Sequence, residues 1–195
     1  MIRRLLAKPP ADTERLPPGQ SLTRGFPVLT YGPTPRLTPQ NAELRISGLA
    51  AARTFTWDEL MAFPQSDVRR DFHCVTHWSK FDVGWPGVRT AELVRHLDVD
   101  PAATHVMLRC YGGYSTNLSL EDFLAEDCLL AHKLEGEDIP VEHGGPLRAI
   151  VPHLYAWKSA KWLHELHFMD QNVPGFWERN GYHMRGDPFA EERFS

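Results

Sequence analysis

Cys74 stands in Asp71-Phe72-His73-Cys74-Val75-Thr76-His77-Trp78-Ser79-Lys80, with two histidines, an indole and a hydroxyl within four residues of it. A thiolate is a soft ligand suited to transition metals. The same residues allow other chemistry. His73 or His77 could join Cys74 on zinc, although no second cysteine or His-x-x-x-His pair completes that set. Cys74 could act as a nucleophile with a histidine base, without any cysteine-protease signature around it. Cysteine is also among the most buried residue types, so an inert core thiol is the plain alternative. Cys110 and Cys128 lie in apolar runs and read as core.

A second group is basic. Glu142-His143-Gly144-Gly145-Pro146-Leu147-Arg148 sets glycines between an imidazole and a guanidinium, and Lys158-Ser159-Ala160-Lys161-Trp162 adds two cations and a hydroxyl. Arginine presents a planar fork to phosphate, and glycines let backbone N–H groups approach it. The common alternative is a solvated turn with surface charge. The apolar stretch Ala149-Ile150-Val151-Pro152 and Trp157 bracket these cations, which points to a cleft. Together the two groups suit a metal–cofactor enzyme better than a binding module.

Short elements must position these groups. Glu43–Gly48 alternates polar and apolar and predicts a strand. Thr56 before Asp58 and Glu59 predicts a capped helix. A strand over 66–73 delivers Cys74 to its end, and a loop follows. Capped helices are expected over Thr90–Leu97 and Ser119–Leu124. Strands are expected at 105–110, 128–134, 147–151 and 162–169, with turns at 138–140 and 143–146. Strands without regular βαβ spacing give an α+β fold, mainly β with short helices.

Composition bounds the rest. The chain has 195 residues, 42% hydrophobic and 24% charged, with a net charge of −4 that does not point to nucleic acid. Eight of its sixteen prolines fall in residues 1–40. We therefore expect residues 1–20 to be a disordered arm and residues 21–195 to be a single domain. Three cysteines, an odd number with no Cys-x-x-Cys pair, suit a reducing compartment. No apolar run reaches the roughly 18 residues of a membrane span, and Arg3-Arg4 is followed by no apolar export segment. The expectation is a cytoplasmic monomer.

Cys74-Val75-Thr76-His77-Trp78-Ser79, the His143–Arg148 turn, and Val151-Pro152 leading to Lys158-Ser159-Ala160-Lys161-Trp162 resemble, in that order, the molybdopterin-dependent oxidoreductases of the sulfite oxidase family. The likeness is to its short, single-domain bacterial members and runs from about Arg24 onward. It implies a sulfite oxidase-type α+β fold around a molybdenum–molybdopterin cofactor, with Cys74 as the protein ligand to molybdenum. It also implies cofactor contacts from Arg24, Phe26, His143, Arg148, Ser159, Ala160 and Lys161. Tyr182 resembles the tyrosine of the substrate pocket, though a packing aromatic is an equal alternative. His77 and Trp78 would act beside the metal.

One departure bears on the substrate. Sulfite oxidases follow the metal cysteine with arginines, whereas Trp78, Ser79 and Lys80 stand here. That resembles the branch reducing protein methionine sulfoxide. The implied reaction is two-electron, oxygen-atom-transfer chemistry on a small or protein-bound oxide. No haem-binding stretch or dimerisation domain is seen, so electrons would pass through a separate partner. Two readings compete with this one. They are a metal-free Cys–His hydrolase or transferase at Cys74 and His77, and a non-catalytic binding module that has kept the fold.

Overall fold

The computed structural model describes residues 12–195. Its elements run in order α1 (Asp12–Arg15), β1 (Ser21–Leu22), β2 (Leu44–Gly48), β3 (Arg53–Phe55), α2 (Trp57–Met61), β4 (Gln65–Cys74), β5 (Trp78–Arg89), α3 (Thr90–Val94), β6 (His105–Cys110), β7 (Ser115–Ser119), α4 (Leu120–Phe123), β8 (Leu129–Ala131), β9 (Lys133–Leu134), β10 (Glu137–Asp138), β11 (Arg148–Ile150), β12 (Leu163–Met169) and α5 (Phe176–Arg179). Single 3-10 turns cover Val141–His143 and Ala156–Lys158. The expected α+β class holds: two five-stranded mixed sheets and a small hairpin, with helices of five residues or fewer among the described residues.

One sheet has the order β1-β5-β8-β11, with β4 on β5. The other has the order β3-β2-β12-β6-β7, in which β12 runs parallel to β2 and antiparallel to β6. Residues from both sheets meet in one core cluster: Leu44, Leu108 and Leu166 from one, Val88, Leu130 and Ala149 from the other. Each large apolar side chain fully buried there is worth about 1.5–3 kcal/mol. A second cluster around Phe72, Val83, Trp85 and Ile150 lies within the first sheet's own elements.

Local chemistry explains the helix starts. Thr56 and Glu59 form a capping box, Thr56 Oγ1 accepting from Glu59 N and Glu59 Oε2 from Thr56 N. Ser119 caps α4 by accepting from Asp122 N at 3.0 Å. The expected Thr90–Leu97 helix is shorter, ending at Val94, and Thr90 does not cap it. Its buried hydroxyl donates instead to the carbonyls of Phe123 and Cys128, tying β5 to the segment before β8.

The largest difference from the sequence reading is β5. A loop was expected after Cys74, and a twelve-residue strand begins at Trp78. Its Gly84-Trp85-Pro86-Gly87 run reads as turn chemistry. The structure needs those glycines for close strand approach: a Cβ on Gly87 would sit 2.2 Å from Leu130 O, and one on Gly84 2.7 Å from the Arg69 guanidinium. Pro86 has no N–H to donate, but its carbonyl accepts from His132 N.

Residues 1–11 of the expected loose arm lie outside the described residues. Its later part is docked. Arg15 pairs with Asp71 and Asp82, and Gln20 is buried.

Lys158, expected among the cofactor-facing cations, is fully buried and turned away from them. Its Nζ donates to Glu178 Oε1 at 2.6 Å and to Asn117 O, Asn117 Oδ1 and Met184 O. Glu178 also accepts from Thr116 Oγ1 and Trp157 Nε1, so this pair binds β7, α5 and the Ala156–Lys158 turn together. Burial pushes the Lys158 amine below its usual range, against the pull of Glu178. Removing one partner leaves an uncompensated buried charge. Lys158→Met is expected to cost about 3–5 kcal/mol in denaturant unfolding, and adding Glu178→Gln should recover most of that loss.

Candidate active site

The β4–β5 hairpin presents Cys74. Exposure along β4 falls toward its end, where Phe72, His73 and Cys74 are all buried. Cys74 pairs across the ladder with Trp78, and Val75-Thr76-His77 close the turn, with His77 at φ 69° in the left-handed region. The sulfur opens on a cavity of about 330 Å³. Its nearest polar neighbour is Thr76 Oγ1 at 3.1 Å. Burial pushes the thiol above its usual range, the opposite of an activated nucleophile. Cys110 and Cys128 sit in the core as expected, and burial pushes both thiols far up.

Around the sulfur the wall is aromatic. Tyr155, Trp157, Trp177 and Tyr182 pack in one cluster with Cys74 and Val75. Tyr182 stacks on Trp177 at 4.9 Å and meets Trp157 edge-on at 5.0 Å. The Tyr182 phenol is raised by burial and by the nearby sulfur, so it stays protonated at neutral pH. Trp78 lines the cavity as well, and its buried Nε1–H has no acceptor among the described residues.

The other side is cationic. Arg148 is buried on β11, with its guanidinium 5.1 Å from the Trp85 ring and 5.5 Å from Phe72. Nη1 donates to His143 O and Nη2 to Ser159 O, and among the described residues the buried Nε has no acceptor and no carboxylate pairs with the guanidinium. Burial lowers Arg148 to about 9. Lys161 lines the same cavity, its Nζ on the carbonyls of Leu29 and Glu142. Burial, then Arg148, pushes it down to about 8. His143 stacks on Phe26 at 4.9 Å and is also lowered, chiefly by burial.

The expected residues therefore divide. Cys74, Phe26, Trp78, His143, Arg148, Ser159, Ala160, Lys161 and Tyr182 converge on one cavity. Ser159 serves its frame, with Oγ accepting from Val151 N at 2.9 Å and its carbonyl taking Arg148. Arg24 is exposed and does not line the cavity, its carbonyl accepting from Lys80 Nζ. His77 is exposed and hydrogen-bonded through Nδ1 to Gly19 O, so it does not face the sulfur. His73 is bonded to Ser79 Oγ at 2.8 Å. Neither histidine is hydrogen-bonded to Cys74, so the Cys74–His77 pair of a hydrolase is not formed.

The glycine turn also differs from expectation. Gly144 N and Gly145 N bond within the turn, to Val141 O and Pro140 O. Gly144, at φ +105°, makes room for Lys161, whose side chain a Cβ there would meet at 2.9 Å. Cations, not backbone N–H groups, make this side of the cavity attractive to an anion. Trp157, expected to bracket the cations, is on the wall. Trp177 and Tyr114 on the wall escaped the sequence reading: one lies in the four-residue α5 and the other between β6 and β7, segments too short to show a period.

A buried cation without a counter-charge and two orphaned N–H donors call for an anionic, hydrogen-bonding group. A buried thiol on the same cavity suits a soft metal. The donor set fits a phosphate-bearing metal cofactor.

Comparison with known proteins agrees. The family model described as "Oxidoreductase molybdopterin binding domain" matches residues 31–177. YuiH of Bacillus subtilis, an uncharacterised oxidoreductase, is 46% identical over 93% of this chain and 92% of its own length. The protein-methionine-sulfoxide reductase catalytic subunit of Ralstonia nicotianae is 29% identical over 72% of the chain, which spans 47% of that protein. Mitochondrial sulfite oxidase of Drosophila melanogaster is 27% identical over 80% of the chain, which spans 32% of it. The sulfane dehydrogenase SoxCD of Paracoccus pantotrophus shares the fold, with a TM-score of 0.67 over 76% of this chain and 42% of that one, at 21% identity. The match over most of its length and the near-complete overlap with YuiH mean that the chain belongs to the oxidoreductase molybdopterin-binding domain family, whose cofactor is molybdenum–molybdopterin.

Proposed function

We propose that Cys74 is the protein ligand to molybdenum and that the enzyme transfers an oxygen atom to or from a small or protein-bound oxide of sulfur. One observation carries this reading: the Cys74 sulfur and the uncompensated Arg148 guanidinium line the same cavity. The bound cofactor would supply two-electron redox chemistry and an exchangeable oxygen site. Every other part falls to this chain's own residues.

Arg148, Lys161 and His143 would hold the anionic part of the cofactor, with the Arg148 Nε and Trp78 Nε1 protons free for it. Cys74 would give up its proton to bind metal, which offsets the burial that keeps the free thiol protonated. Trp157, Trp177 and Tyr182 exclude water from the sulfur's surroundings. The Tyr182 hydroxyl is a protonated donor and would hydrogen-bond the substrate's oxygen.

The wall near Cys74 holds aromatic rings and Thr76, while Arg148 and His143 lie with Phe26, Phe72 and Trp85 and Lys161 is the cavity cation within electrostatic reach of the sulfur. The aromatic wall suits an uncharged sulfoxide better than sulfite, in line with the methionine-sulfoxide reductase among the relatives. We read residues 21–195 as one catalytic domain that exchanges electrons with a separate partner. Three unpaired cysteines suit a reducing compartment, and we place the protein in the cytoplasm as a monomer. Among the described residues no helix is long and apolar enough to cross a membrane.

Cys74→Ser, expressed in a host that makes the cofactor, should keep its fold by circular dichroism and lose molybdenum and activity. A fully active Cys74→Ser protein would falsify the ligand assignment. Arg148→Ala should lower affinity for molybdopterin roughly 10–100-fold, the worth of a charge-assisted hydrogen bond, read as pterin released per chain. Unchanged pterin content counts against the cationic cradle. Binding should also depend on pH. Lys161 carries its proton below about 8 in the free protein, and an anion favours the protonated form. Affinity of the cofactor-free protein for molybdopterin should therefore fall as pH rises through about 8. A titration calorimetry series should show Lys161→Met flattening that slope.

A further inference from the structure

The turn that carries Cys74 is held from outside the hairpin, by two segments far apart in sequence. Gln20, buried, donates from Nε2 to Cys74 O at 3.0 Å and accepts from Ser79 Oγ at 3.3 Å. Ser21 N bonds His77 O and Thr23 N bonds Ser79 O, both at 2.9 Å. From the other side comes Arg193, also buried. Its Nη1 donates to Val75 O at 2.6 Å and its Nη2 to Pro18 O at 3.2 Å, and its guanidinium lies 4.9 Å from the Tyr155 ring centre. Among the described residues no carboxylate pairs with it, so its charge is used on neutral carbonyls and a ring face.

The carbonyls of residues 74, 75, 77 and 79 thus all accept hydrogen bonds from these two segments. Inside the turn the hairpin's own backbone supplies one bond, His77 N to Cys74 O at 3.1 Å, beside the side-chain contact of Cys74 Sγ with Thr76 Oγ1. A three-residue closure with a left-handed His77 has several possible courses. The outside bonds select one of them, and with it the direction of the Cys74 Cα–Cβ bond into the cavity.

We propose that Gln20 and Arg193 are positioning residues that set the direction of the Cys74 sulfur. Neither lines the cavity; each acts on the site through the turn, and the Arg193 charge also reaches the Cys74 sulfur. The proposal rests on the reading of Cys74 as the metal thiolate. Groups of this kind, one bond removed from a ligand, typically change activity about 10–100-fold when lost.

The test uses the loaded enzyme and four proteins: wild type, Gln20→Met, Arg193→Lys and Arg193→Gln, with Cys74→Ser in parallel. Three quantities are read: molybdenum per chain, the sulfur-to-metal charge-transfer absorption band, and kcat separately from KM. The expected result for Gln20→Met and Arg193→Gln is a shifted band and kcat about 10–100-fold lower, at near-normal metal content and unchanged KM. Arg193→Lys, able to reach one carbonyl, should lie between Arg193→Gln and wild type. A wild-type band and kcat in both Gln20→Met and Arg193→Gln, whatever happens to melting temperature, overturns the proposal and leaves these residues a purely structural role. If Arg193→Gln does not fold, Gln20→Met and Arg193→Lys decide by the same criterion. Retention of the band in Cys74→Ser would instead remove the ligand assignment beneath the proposal, an outcome the other variants do not imitate.

Discussion

The ladder between β4 and β5 is the constraint on which the rest of the molecule depends. β5 pairs with β4 along most of its length and also with β1 and β8, so three segments take their register from it. A one-residue slip would turn Cys74 from the cavity to the opposite face. The bulge between Arg70 and Phe72 falls shortly before the site and re-aims the last residues of β4. Glycines at 84 and 87 allow neighbouring groups to come close enough to hold the strand in that register.

Two buried cations show how the chain separates support from chemistry. Lys158 precedes Ser159 on a 3-10 turn, and Arg148, on β11, donates to the Ser159 carbonyl. Lys158 is saturated by a carboxylate, an amide and two backbone carbonyls. Arg148 has two carbonyls, two ring faces and one orphaned proton. A buried ion that is fully paired holds a structure together, whereas one left short of partners is a place for a ligand.

How much of this could be read beforehand follows from what sequence encodes locally. Capping residues at Thr56 and Ser119 announced α2 and α4, because a cap acts within three residues of itself. β2 was readable from its polar–apolar alternation and β6 from its apolar run. Cys74, Arg148 and Tyr182 were singled out by chemistry and resemblance, and the fold brings them to one cavity. β5 was not legible, since its Gly-Trp-Pro-Gly run has the composition of a turn and is a strand only because β4 and β8 press on it. His77 was singled out by its neighbourhood and Arg24 by resemblance, but side-chain direction is a tertiary property. Gln20 and Arg193 gave no sign at all, as their partners lie 54 and 118 residues away.

That last separation has a consequence for the order of events at birth. Val75 leaves the ribosome long before Arg193, which is 118 residues later. At roughly 5–20 residues per second, the turn around the cysteine waits on the order of ten seconds for its final hydrogen bond. β12, which joins β2 to β6, arrives late as well. The pocket is therefore finished only when nearly all of the described chain is available, and a cofactor is received after Arg193 has been made rather than while β4 and β5 are still emerging.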